Sequence, residues 1–412
     1  MIKSIEQTYG AGAVDFQKAR YDSLRDEFEE LYGEKPERFF SAPGRTEICG
    51  NHTDHNKGKV LAAGVSLDVI AGASATDDNI IYLTSEGFGT EKVDLNNLDV
   101  NTEEYGSSRA LIKGVAAGLK ERGYKIGGFK AYTKSNVLKG SGLSSSAAFE
   151  VLICTILSGL YNEGEIDAVT AAKVSQYAEN KFFGKPSGLM DQMACSVGGL
   201  IYIDFKDEQN PIIKKIEYDF NSCGHSLCIV DTKGNHADLT PEYAAIPTEM
   251  KAIAGYFGKD NLRELSKEEV MENARELREK SGDRAVLRAL HFFDENDRVD
   301  AAASALENND FESFAKYLKA SGDSSYKYLQ NVFASSSPQE QGLSTALYMA
   351  EDILEKRGAY RVHGGGFAGT IQAFVPEDLL EKFKNRMESI FGAGACHIMS
   401  IRPFGGAEIS LF

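Results

Sequence analysis

Along the first forty residues, apolar side chains recur at Phe16, Ala19, Leu24, Phe28 and Leu31, close to the 3.6-residue period of an amphipathic helix. Arg38-Phe-Phe-Ser-Ala42 then reads as a short apolar strand ended by a Pro43-Gly44 turn. Strand patterns follow at Ile80–Thr84 and Phe129–Thr133, with a helix predicted between them over Leu111–Glu121. From Ser144 to Leu160 the chain, SSSAAFEVLICTILSGL, is apolar nearly all round, the signature of a buried helix. Strands are predicted again over Leu200–Phe205 and Ser226–Asp231. Between about Pro241 and Lys356 strand signals fade and long charged-and-apolar periods predict a helical region. Arg361 to Val375 restores strand, glycine turn and strand, followed by a helix and a closing strand near Ala407–Leu411. This interleaving, with no internal repeat or low-complexity tract, predicts a mixed α/β fold of two lobes sharing a cleft. The N-terminal lobe is expected over residues 1–205 and the C-terminal lobe over 206–412.

Composition narrows the function classes. The net charge of −16, from 45 Lys+Arg against 61 Asp+Glu, disfavours broad attraction to nucleic acid or anionic membrane. It leaves room for an anionic ligand, because a local nest of backbone N–H groups holds phosphate on an acidic protein too. The opening residues are polar, and no run of 18 apolar residues occurs. The six cysteines lack the spacing of a disulfide framework, so reduced thiols in the cytoplasm are expected.

Several stretches carry candidate chemistry. Lys139-Gly-Ser-Gly-Leu-Ser-Ser-Ser-Ala147 lies between a predicted strand and the buried helix. Gly140 and Gly142 open backbone conformations closed to other residues, and the helix start at Ser144, Ser145 and Ser146 offers free N–H groups to phosphate. A serine cap with a flexible approach loop is the plainer reading. Arg361-Val-His-Gly-Gly-Gly-Phe-Ala-Gly-Thr370 contains G-x-G-x-x-G, but Thr370–Val375 alternates like a strand. A dinucleotide fingerprint needs a helix there and is rejected, which leaves a ligand-facing turn or a structural hairpin. The dense polar run Gly44-Arg45-Thr-Glu47-Ile-Cys-Gly50-Asn51-His52-Thr53-Asp54-His55 is costly to bury without partners. Arg45 suits charge on a transferring phosphoryl group, and Asn51, His52 and Asp54 suit sugar hydroxyls; a solvated loop would look the same. Gly188-Leu-Met-Asp191 sets one carboxylate among apolar neighbours, either beside an acceptor hydroxyl or as a helix cap. Glu179 offers magnesium a carboxylate or simply faces water. Cys223-Gly-His-Ser-Leu-Cys228 has no second half-site, and a zinc reading is set aside.

In this order the motifs resemble the galactokinase branch of the GHMP kinases, the superfamily of galacto-, homoserine, mevalonate and phosphomevalonate kinases. The family's Pro-Gly-Arg leading to Gly-Glu-His-Thr-Asp-Tyr is similar to Pro43-Gly-Arg45 and Gly50-Asn-His-Thr-Asp-His55. Its Gly-x-Gly-Leu-Ser-Ser-Ser-Ala loop is matched throughout Gly140–Ala147, and its glycine turn resembles Gly364–Gly369, with Ala368 in place of one glycine. The family's Gly-Ile-Met-Asp-Gln is similar to Gly188–Gln192, and a family tyrosine near the sugar is matched by Tyr243. The resemblance extends from about Phe39 to the C-terminus. It implies a two-lobed kinase with ATP, Mg2+ and a small sugar as ligands and no nucleic acid or membrane partner; the oligomeric state stays open, a monomer being compatible with the resemblance.

Residue by residue, the resemblance implies that Asp191 takes or orients the proton of the sugar's anomeric hydroxyl and that Arg45 stabilises the transition state. Gly140, Ser141, Gly142, Leu143, Ser144, Ser145 and Ser146 would cradle the ATP phosphates. Ser146 and Glu179 would hold magnesium. Asn51, His52, Asp54, Gly188 and Tyr243 would line the sugar. The chain departs from the pattern where Glu47-Ile-Cys-Gly50-Asn51 stands for Asn-x-x-Gly-Glu, an exchange of acid and amide. His55 replaces a tyrosine, and Ala244-Ala-Ile-Pro247 replaces an arginine-rich stretch. All three departures fall on the sugar side. They leave a related pyranose, such as a uronic acid or amino sugar, as the alternative substrate. A non-catalytic galactose sensor is the alternative of another class, although Arg45, Ser145, Ser146 and Asp191 are retained.

Overall fold

The computed structural model describes residues 2–137, 142–234 and 239–411. Two sheets organise it. Among the described residues the larger runs in the order Ile2–Ser4, Ala407–Ser410, Arg38–Cys49, Lys59–Thr76, Gly128–Ser135, Ile80–Ser85 and Thr90–Asp94. Leu200–Asp204 pairs with Lys59–Thr76 as a branch and carries Ile212–Ile216 beyond it. The smaller sheet is antiparallel, ordered Ala359–His363, Thr370–Pro376, His225–Asp231 and Cys396–Met399. The fold is therefore mixed α/β.

Alternation along the strands assigns each face its helices. In Lys59–Thr76, Val69, Ala71 and Ala73 join the core with the buried helix Ser145–Tyr161. Ile70 points the other way and meets Tyr21 and Leu24 of Val14–Tyr32. That helix forms as its periodicity predicts, but Phe16 and Leu31 are exposed, and Tyr21 completes its buried stripe instead. In the smaller sheet, Val230, Ile371 and Ala373 face Gly342–Leu354 and Leu380–Phe391. Leu227, Ile229 and Phe374 face the other way, onto Asp283–Glu307 and Phe311–Ser324.

Two features depart from the expected outline. The strand expected to end at Pro43-Gly44 continues as Arg38–Cys49, because the proline falls at a break in register and so removes no ladder bond there. At that break the Arg45 N–H leaves the sheet and donates to the Leu143 carbonyl. The expected division at residue 205 is also crossed. Ile212–Ile216 and Ala407–Ser410 both join the larger sheet through backbone pairing, the second also burying Ala407 and Ile409.

Candidate functional site

Four segments remote in sequence converge where the helix Ser145–Tyr161 begins. Arg45 is aimed inward by the register break, and its Nε and Nη2 both lie 2.7 Å from Oδ1 of Asp191. Its Nη1 donates to the Gly142 carbonyl. Asp191 sits in the first turn of Met190–Val197, and its Oδ2 accepts from the Ser144 hydroxyl at 2.5 Å. Ser144 holds a left-handed conformation, φ 56°, which turns the chain into the helix. Burial pushes the Asp191 carboxyl up, but the Arg45 charge, the Ser144 bond and the more distant Lys185 outweigh it and hold it below the usual range. An ionised carboxylate, a paired guanidinium and a helix N-terminus thus share one spot.

In the first turn of the helix, Ser146 Oγ donates to Glu179 Oε1 at 3.1 Å. Glu179 lies in a π-turn, Ala178–Phe182, of the kind often found at functional sites. Gln192 Nε2 holds its Oε2 at 2.7 Å, and Lys185 Nζ lies 2.8 Å from its Oε1. Buried Glu150, one helical turn beyond Ser146, has an oxygen without a protein partner, as does Gln192. A hydroxyl, a carboxylate and these unpaired oxygens suit a hard cation that takes its remaining ligands from water and substrate phosphates. No cluster of three or more His, Cys, Asp or Glu residues fit for a metal occurs among the described residues. Gly140 and Ser141, expected at the phosphates, lie outside the described residues.

The sugar-side candidates gather beside this spot, but their side chains differ in availability. Asp54 abuts Gly188 so closely that a Cβ at Gly188 would overlap the Asp54 carboxylate. The Tyr243 hydroxyl donates to the Gly366 carbonyl at 2.9 Å, and its ring stands edge-on to Phe367. His52 Nε2 lies 3.0 Å from the Gly365 carbonyl; burial and then neighbouring His55 push its pKa down to about 3, so the neutral ring donates that bond. Asn51 is wholly buried, and its amide is used inside the protein.

The glycine turn belongs to the same place. Gly364, Gly366 and Gly369 all have positive φ, and a Cβ on Gly364 would lie 3.5 Å from the Gly142 Cα. A strand, Thr370–Pro376, follows where a dinucleotide fingerprint would need a helix, in keeping with the rejection of that reading.

Sequence reading missed the supports. Glu295 accepts from the backbone N–H groups of Gly50 and Asn51 at 3.0 and 3.4 Å, and His291 Nε2 lies 3.0 Å from the Asn51 carbonyl. Both come from Asp283–Glu307. Lys185, in the run before Gly188, adds a cation close to Glu179 and was also missed; a lysine just ahead of the Gly188–Gln192 motif was the available signal.

Comparison with known proteins agrees with this geometry. Residues 26–75 match the galactokinase galactose-binding signature, and residues 110–199 match the GHMP kinase N-terminal domain. The galactokinase of Streptomyces coelicolor is 30% identical over 394 residues, 94% of this chain and 97% of that protein. The galactokinase of Ligilactobacillus salivarius is 30% identical over 383 residues, 89% of this chain and 93% of that one. The crystal structure of Lactococcus lactis galactokinase complexed with galactose superposes with a TM-score of 0.81 at 25% identity, over 94% of this chain and 99% of that one. Mevalonate kinase of Methanococcus jannaschii, at 16% identity and a TM-score of 0.63, shares the fold. Motif order, converging side chains and relatives matched along nearly their whole length place the chain in the galactokinase family of the GHMP kinases.

Proposed function

We propose that this protein transfers the γ-phosphoryl group of ATP to the anomeric hydroxyl of galactose, giving galactose 1-phosphate and ADP. The observation that carries the reading is the ionised Asp191, held between Arg45 and Ser144 at the mouth of the phosphate-binding helix. The sugar oxygen attacks the γ-phosphorus, the bond to the β–γ bridging oxygen breaks, and the alcohol proton passes to Asp191. Arg45, already beside that carboxylate, offsets charge on the phosphoryl oxygens as they spread in the transition state. The Ser144–Ser146 turn presents helix N–H groups to the phosphates. Ser146 and Glu179 would hold magnesium, which would supply neutralising charge to the nucleotide phosphates. Asp54, Gly188, His52 and Tyr243 form the wall facing the sugar. The relatives named galactokinase, and the galactose in the Lactococcus structure, support galactose as acceptor.

A panel of hexoses, uronic acids and amino sugars, assayed by ADP release, tests this reading. Galactose should rank first by kcat/KM. A different sugar far ahead of it would overturn the substrate, and no sugar-dependent release at all would overturn the reaction.

A further inference from the structure

The exchange of acid and amide between positions 47 and 51 has a physical account. Glu47 is buried and takes Arg361 Nη2 at 3.0 Å, while Arg361 Nη1 donates to the Ile48 carbonyl at 2.8 Å. Four residues on, Asn51 Nδ2 donates to Glu47 Oε1 at 3.0 Å and to the Gly364 carbonyl at 2.8 Å. Its Oδ1 accepts from Asn331 Nδ2 at 2.8 Å and from Ser325 Oγ at 3.2 Å. The amide orientation follows from the partners, since the carboxylate and carbonyl only accept. All four hydrogen-bonding positions of the amide are used, and none remains for a ligand.

The same contacts lead to the glycine turn. Asn331 also donates to the Gly365 carbonyl at 3.1 Å, and its own carbonyl accepts from the Phe367 N–H at 2.5 Å. Two consecutive carbonyls of the turn, at Gly364 and Gly365, are thereby held against the segment that bears His52 and Asp54. The turn's other side touches Gly142, whose carbonyl holds Arg45. A glutamate at position 51 would set carboxylate oxygens against the Gly364 carbonyl and Glu47. With an acid already at 47, the neutral amide is the group of that size that satisfies every neighbour.

We propose that Asn51 is a positioning residue and no sugar ligand: with Asn331 it clamps the glycine turn and so sets the distance between the sugar wall and the Arg45–Asp191 pair. This rests on the kinase reading above. The consequence is that specificity for the sugar is set by the neighbours His52, Asp54 and Tyr243, and that position 51 acts on turnover whatever sugar is offered.

The test measures kcat and KM for the wild-type protein, Asn51→Asp and Asn331→Ala, with galactose and with analogues each lacking one hydroxyl. Asn51→Asp is isosteric and replaces the donor with an oxygen; Asn331→Ala removes the clamp from the opposite side without adding charge. Each variant should lose about tenfold or more in kcat, with a smaller change in sugar KM, as displacement of a pre-arranged site does. The fold-loss should be the same for every analogue. A loss that disappears with one deoxy analogue would show that Asn51 touches that hydroxyl, and the proposal falls. Should Asn51→Asp fail to fold, Asn331→Ala decides alone, and kcat within about twofold of wild type overturns the clamp. The wild-type rates judge the kinase reading, while the variant-to-wild-type ratios judge this inference, so the two fail separately. If another sugar proves to be the substrate, the same ratios are read on its own deoxy series.

Discussion

The proposed phosphate side and the proposed sugar side of the site are built on opposite terms. On the phosphate side, Arg45, Asp191, Ser144, Ser146 and Glu179 bond mainly to one another, through groups that a nucleotide, a cation or an alcohol can take over. On the sugar side, Asn51 is saturated by protein and His52 and Tyr243 each spend a bond on the glycine turn. The first region is pre-charged for chemistry, and the second is pre-shaped. This difference explains why the family's phosphate motif is matched throughout while its sugar motif tolerates an acid–amide exchange. Charge must sit where it acts, whereas shape can be reached by compensating changes.

Breaking the charged side should cost most. Asp191→Ala is expected to lower kcat by about 10²- to 10⁴-fold, with nucleotide binding retained, as steady-state rates beside equilibrium titration would show. Unchanged turnover would remove Asp191 from the reaction. On the shaped side, Arg361→Met leaves the Glu47 carboxylate buried and unpaired, which should cost about 3–5 kcal/mol in denaturant unfolding. A loss well under that range would mean that the pair is not desolvated. Gln192→Ala frees the Glu179 carboxylate that Gln192 holds, and the magnesium needed for half-maximal rate should rise by about 10- to 100-fold.

The smallest effect is a pH dependence. His52 is held neutral down to about pH 3, so between its ordinary 6.5 and that value the unfolded chain binds a proton that the folded chain refuses. Stability from this group is complete above 6.5 and declines as pH falls through that window. Burial lowers His291 in the same sense. Glu295, pulled down to about 2 against the cost of burial by His291, Arg298 and Arg361, adds stability that is present above its ordinary 4.5 and is lost towards 2. Thermal melts should therefore show a falling transition temperature from about pH 7 to about pH 4, and His52→Gln should flatten that slope. An identical slope in the variant would show that the ring titrates normally.

The two sides also differed in how readily the sequence revealed them. Gly142–Ser146, Arg45 and Asp191 could be read because glycine, serine and a lone acid at a helix start have local physical signatures. The clamp could not, because Glu47 meets Arg361, and Gly50 meets Glu295, across hundreds of residues of chain. Nothing within a window of sequence marks a buried arginine or glutamate as paired. The 18-residue strand Lys59–Thr76 was missed for another reason. It is buried on both faces and rich in Ala and Gly, so it shows neither alternation nor β-branched enrichment. The strand through Pro43 was cut short because proline normally ends a ladder, and only the partner strand's register shows that it sits at a break.

The position of the transferred phosphate tests the central claim most directly. Phosphorus NMR of the product from ATP and galactose should show one sugar-phosphate signal split by the single anomeric proton, as expected if Asp191 faces that oxygen. A signal split by the two protons of the primary alcohol, or inorganic phosphate with no sugar phosphate, would contradict the account.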